Sequence, residues 1–311
     1  MKKKKLIILM VSVMLVSTFA VGCLEDDDGE HENMDPHIWM SPKNVELMID
    51  NFVEGLEDSD IGYEELNRVA VTIPPQQEWV ENVCSEDVQI TVMVPEGADP
   101  HIYEPTTSQM RDISEADVYF KIGSGVEFEE RWMDSLIEQN TDMLVIDGSD
   151  GIHLLEYGDE HDHDHDDDHG HEHSITLTST SRFRENADEY LHDLHDLHHW
   201  IEEELEPYHG RKFLIYHPSM AYYAHEYGVE QIAVEREGLE PGSKGIQAVI
   251  EQAEEEDIRV VFVSPQFDES RAQTIADEID GEVIELDPLS SDYIENLEDI
   301  TQNLIESFGP E

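Results

Sequence analysis

Basic side chains are scarce in this chain. Lys and Arg number 17 against 75 Asp and Glu, and four of those lysines, Lys2 to Lys5, stand ahead of the first apolar stretch. A surface of that sign repels a phosphate backbone, so nucleic acid is excluded as a partner. Cysteine is nearly missing as well, with Cys23 and Cys84 alone. Once Cys23 is assigned to lipid, as argued next, no intrachain disulfide is available. Cys84 then reads as a lone, half-buried thiol rather than a soft metal ligand. The acidity has two explanations, cation capture or adaptation to high salt, where screening tolerates self-repulsion. The carboxylates are spread along the whole chain, which favours salt adaptation.

What is present at the N-terminus is a charged n-region, an apolar h-region over residues 6–21 and a small residue, Gly22, before Cys23. That is the layout of a secretory signal at 1–22. Ala20-Val21-Gly22-Cys23 resembles a lipobox, although Leu is usual three positions before the cysteine. Cys23 would then carry lipid as the first mature residue. An uncleaved N-terminal anchor is the alternative, and both place the body outside the cytoplasmic membrane, lipid-anchored in the first case. Residues 23–33 are acidic and free of aromatics, and read as a tether.

The 311 residues, 39% of them hydrophobic, suffice for two ordinary domains. Residues 41–57 carry apolar positions on one helical face, with Pro42 suited to the first turn. From residue 68 the texture alternates. Strands are expected at 68–73, 89–94, 118–122 and 143–146, with helices at 76–83, 108–115 and 127–139 between them. After a Ser/Thr linker at 174–181, residues 184–207 read as one long charged helix ended by Pro207 and Gly210. A second alternating half follows, with strands at 212–216, 231–234, 259–263 and 282–286 and helices at 220–227, 244–256, 270–280 and 294–308. The fold class is α/β: two α/β lobes with mainly parallel sheets, joined by one long linking helix. The lobes are expected at 34–181 and 210–311, the linking helix at 182–209, and the ligand in the cleft between the lobes.

Ligands of open α/β sheets sit beyond the carboxyl ends of the strands. His101, His217 and Asp287 fall at such positions, and His37 precedes the helix beginning near Pro42. Asp-Pro-His occurs twice, in Asp35-Pro36-His37-Ile38-Trp39 and in Asp99-Pro100-His101-Ile102-Tyr103. Proline stiffens the backbone that presents each imidazole. Three imidazoles and a carboxylate suit zinc, while any one of them alone reads more simply as turn or cap chemistry. The run HDHDHDDDHGHEH at 161–173 offers His161, His163, His165, His169, His171 and His173. It is read either as an auxiliary zinc collector or as a solvated loop with incidental affinity. His195 and His199 have a chelating i, i+4 spacing, yet with His192 and His198 they read as a solvated helix face.

The segments RVAVTIPPQQEWV, VMVPEGADPHIYEPTTSQM, ISEADVYFKIGSGVEFEERWMD, IYHPSMAYYAHEYGVEQIAVEREGLEPGSK, VVFVSPQFDESRAQTIADEI and IELDPLSSDYIENL, together with DPHIWMSPKNVELM, resemble the zinc/manganese substrate-binding lipoproteins of ABC transporters, of the high-affinity zinc-uptake type. The resemblance covers nearly everything after residue 34. It implies a non-enzymatic, monomeric receptor that captures Zn2+ in preference to Mn2+ and delivers it to an ABC-type metal permease. It implies His37, His101, His217 and Asp287 as ligands. Manganese-binding relatives typically have Glu in the place of His217. A secreted zinc hydrolase, or a metal buffer or adhesion module without a permease, are the competing functions. One departure stands out: in the family DPHIW follows the His-rich loop, whereas here it precedes the first strand. The segment is transposed, and His37 reaches the site only if its helix docks in the usual place.

Overall fold

Runs such as Val69-Ala70-Val71 and Val260-Val261-Phe262-Val263 are buried throughout rather than alternately, as strands covered on both faces must be. The computed structural model describes residues 34–59, 61–156, 181–235 and 241–309. The signal at 1–22, Cys23, the tether at 23–33 and the His/Asp run lie outside the described residues.

The first sheet contains β1 (Arg68–Val71), β2 (Gln89–Val92), β3 (Val118–Lys121) and β4 (Leu144–Asp147), in the order β2-β1-β3-β4. The second contains β5 (Lys212–Ile215), β6 (Glu230–Ala233), β7 (Val260–Val263) and β8 (Glu282–Glu285), in the matching order β6-β5-β7-β8. Every pairing is parallel. Each chain path runs from a central strand outward to one neighbour and returns on the other side. That reversal leaves a crevice beyond the carboxyl ends, beside β1 and β5, where ligands of such sheets bind. The first strand stops short of the expected residue 73 because Thr72 and Ile73 turn their N–H groups to the Gln76 side-chain carbonyl (2.9 and 3.1 Å).

Helices α2 (Pro75–Val83), α3 (Thr107–Ile113) and α4 (Glu127–Gln139) accompany the first sheet, and α6 (Ala221–Tyr227), α7 (Ser243–Glu255), α8 (Glu269–Glu278) and α9 (Tyr293–Phe308) the second. Between them runs α5 (Arg182–Leu205), capped by Ser181, whose hydroxyl accepts from the Arg184 N–H at 3.2 Å. At 24 residues it is about 36 Å long. Phe183, Ala187, Tyr190, Leu194, Leu197, Ile201 and Leu205 form its buried stripe. His198 is buried too, which corrects its reading as part of a solvated face: its ring turns inward to the Tyr227 hydroxyl at 3.1 Å. His192, His195 and His199 are exposed as expected. Cys84 is fully rather than half buried, and burial pushes its thiol up to about 12. No described helix is long and apolar enough to cross a membrane.

The N-terminal segment docks on this frame through α1 (Pro42–Asp58), with Pro42 in its first turn and Ser41 as cap. Val45, Met48, Ile49, Phe52, Val53 and Leu56 are buried in the apolar cluster that continues through both sheets to Phe308. At about 2 kcal/mol each, that face contributes on the order of 10 kcal/mol before ordering entropy. The segment's two ends are informative. Met34 bridges Glu156, Asp35 donates its N–H to the Leu155 carbonyl (2.7 Å), and at the far end the Ser181 hydroxyl donates to Glu57 (2.5 Å). Residues 34–58 therefore lie, in space, between Glu156 and Ser181.

Candidate metal centre

His37 is set by three bonds to its neighbours. The Ser124 hydroxyl donates to the Pro36 carbonyl (2.5 Å), the Tyr222 hydroxyl to the Asp35 carbonyl (3.0 Å), and the Trp39 indole N–H to the Pro288 carbonyl (2.8 Å). The chain reaches Ser124 through Gly123, whose φ of +88° and proximity to Asp147 Oδ1 (1.9 Å from an added Cβ) demand glycine. Buried Glu129 fixes the same loop, accepting from the Ile122 and Gly123 N–H groups and the Thr72 hydroxyl (2.6, 2.9 and 2.5 Å); burial holds its carboxyl above the usual range.

Three imidazoles converge. The ring centroid of His217 lies 5.3 Å from His37 and 5.1 Å from His101, and the His101 and His217 Nε2 atoms are 3.4 Å apart. Each ring has its own carboxylate at Nδ1: Asp35 for His37 (2.7 Å), Glu127 for His101 (2.7 Å) and Glu235 for His217 (3.1 Å). An ionised carboxylate only accepts, so each Nδ1 donates and each Nε2 keeps its lone pair when the ring is neutral. A carboxylate behind the far ring nitrogen in this way orients a metal-binding imidazole and raises its basicity. Two nitrogens bound tetrahedrally to zinc at 2.0–2.1 Å lie roughly 3.4 Å apart, the separation found here.

Burial lowers the pKa of His217, against the pull of Glu235, and so favours the neutral ring. Burial acts the same way on His101, but the hydrogen bond and charge of Glu127 outweigh it and raise that pKa. The cavity around the rings is lined by Pro36, Trp39, Pro100, Val126, Glu127, Gln266, Phe267, Pro288 and Leu289 besides the three histidines. Phe267 stacks on His217 with centroids 4.7 Å apart.

Asp287 is not among the lining residues. Its Oδ1 accepts from the Gln266 amide and the Leu289 N–H, both at 2.9 Å, and both of those residues line the cavity. Three carboxylates at the site, Asp35, Glu127 and Glu235, were not singled out from the sequence. Asp35 had a signal in its motif; Glu127 and Glu235 had only their places after β3 and β6.

A family model described as zinc-uptake complex component A, periplasmic (ZnuA), matches residues 69–176 and 175–307. The chain belongs to that family. The two ZnuA matches meet at 175–176, and residues 34–58 lie outside both. The manganese-binding lipoprotein MntA of Halalkalibacterium halodurans is 24% identical over 292 residues, covering 87% of this chain and 86% of that protein. The high-affinity zinc uptake system protein ZnuA of Bacillus subtilis is 24% identical over 247 residues, covering 69% and 75%. A crystal structure of ZnuA superposes with a TM-score of 0.67 and 29% identity, over 78% of this chain and 99% of that one. Membership of the ZnuA family makes this a metal-binding receptor of a transport system, not an enzyme.

Proposed function

We propose that the protein captures Zn2+ outside the cytoplasmic membrane and passes it to an ABC-type metal permease. The observation that carries this reading is the set of three carboxylate-backed imidazoles with two Nε2 atoms at tetrahedral separation. Imidazole-rich sites suit zinc better than the harder manganese ion, although MntA-type relatives are named for manganese. His37, His101 and His217 are the ligands in this reading. Asp287 is the fourth, reached when its carboxylate turns from Gln266, with Glu127 as the rival for that position.

Lipid on Cys23 would hold the receptor, as a monomer, at the outer face of the membrane, and the run at 161–173 would raise zinc concentration near the cleft. The lobe boundaries at 34–181, 182–209 and 210–311 belong to the same reading. One long helix between lobes resists wide bending, so release works through local movement of the His101 and His217 loops.

Competitive zinc and manganese titration of the mature chain is expected to give one tight zinc equivalent, plus weaker sites from the run. His217→Ala should weaken that equivalent at least about 100-fold, as expected for loss of a ligand whose mere support is worth 10–100-fold. Unchanged affinity in His217→Ala would sink the assignment. Comparing Asp287→Asn with Glu127→Gln identifies the fourth ligand. Protons compete for the same Nε2 atoms, so zinc affinity falls as pH drops through the imidazole range.

A further inference from the structure

Away from the cleft, α5 presents a second group of metal-ligating side chains. His195, His198, His199 and Glu202 recur at helical spacing on one face. Ligand atoms of His198, His199 and Glu202 all lie within 4.8 Å of one another. His199 Nδ1 is 3.3 Å from Glu202 Oε2, and the His195 and His199 rings stand edge to face with centroids 4.4 Å apart. His198 is anchored by the Tyr227 hydroxyl at 3.1 Å. That hydroxyl can donate or accept, so either ring nitrogen of His198 can carry the lone pair.

A second observation comes from the facing helix. Glu46 of α1 has its Oε1 buried with no hydrogen-bond partner, and His199 and Glu226 are among the charges acting on it. A buried carboxylate oxygen without a donor is costly. Lys43 of α1, whose charge also acts on Glu46, is held by Glu226 at 2.5 Å and gives the buried Glu46 oxygen no hydrogen bond.

We propose that His198, His199 and Glu202, completed by Glu46, form a second binding site for a transition-metal dication of the zinc or cobalt class, separate from the cleft. Two imidazoles with carboxylates are a borderline donor set that suits these ions. Ligand atoms bound to such an ion lie roughly 3–4 Å apart, so the group must contract from its present spread. His199 and Glu202 are exposed and free to swing, which also gives the ion a path in. Bound there, the ion joins the linking helix to the helix that carries His37 into the cleft.

The test is equilibrium dialysis of the full mature chain against Co2+, which keeps the contribution of the 161–173 run constant across variants. His199→Ala combined with Glu202→Gln, both at exposed positions, is expected to lose one cobalt equivalent per chain or weaken it at least tenfold, while the tight cleft equivalent stays. His192→Ala combined with Asp196→Asn, an exposed pair on the same helix 3.7 Å apart, should keep every equivalent. Unchanged stoichiometry in the first variant, or equal loss in both, overturns the proposal.

Discussion

Asp35 Oδ1 accepts from both the backbone N–H and the Nδ1 of His37, at 2.8 and 2.7 Å, while its Oδ2 is buried with no hydrogen-bond partner. That carboxylate holds the ring by its rear nitrogen. Asp35→Asn keeps the shape but removes the charge, and an amide can present N–H where oxygen is needed. Zinc affinity is expected to fall about 10–100-fold, read by competition with a chromophoric chelator; an unaltered constant would show that the orientation of His37 does not matter. At this scale His37 and His101 were legible through the stiff Asp-Pro-His motif, and His217 through its place directly after a strand. Glu127 and Glu235 were not, because among 75 acidic residues only the folded chain brings two of them to His101 and His217.

Among the elements, α1 carries the clearest electrostatic cost. Burial pushes the Glu46 carboxyl up to about 7, opposed by Lys43 and reinforced by Asp50 and Glu226. A carboxyl whose folded pKa is raised gives full stability below its unfolded value near 4.5 and loses it as pH climbs toward 7. Glu46→Gln escapes that loss. With metal chelated, it should match the wild type near pH 4.5 and exceed it above pH 7 by about 1–2 kcal/mol, a figure reduced for solvent screening. Thermal melts at both pH values check this, and equal differences at the two would contradict it. The helix itself was readable from Pro42 and its apolar face. Its destination was not, since docking beside Glu156 and Ser181 depends on contacts far away in sequence.

For the whole molecule, the alternation of strands and helices in both halves was legible because two-sided burial and helical periodicity leave different patterns. Strand ends were less so: Gln76 draws the Thr72 and Ile73 N–H groups out of the ladder, and no local pattern announces that. A formal charge of −58 makes the folded chain repel itself, and salt screens such repulsion over about 10 Å at 0.1 M. The melting temperature is expected to rise steadily as KCl is raised from 0.1 to about 2 M, a range that shortens screening to a few Å. A flat or falling curve would argue against salt adaptation.

Residues 34–58 also set a schedule for folding. Trp39 donates to the Pro288 carbonyl and accepts from the Tyr293 hydroxyl, partners 249 and 254 residues downstream. The beginning of the described chain must therefore wait for almost its end before it can settle, a contact order that slows folding. Until α9 has emerged, α1 shows its apolar face to solvent and His37 has no fixed seat. The cleft is thus assembled by the end of the chain reaching back to its beginning, and a receptor truncated before Pro288 would lack the clasp that holds its first histidine.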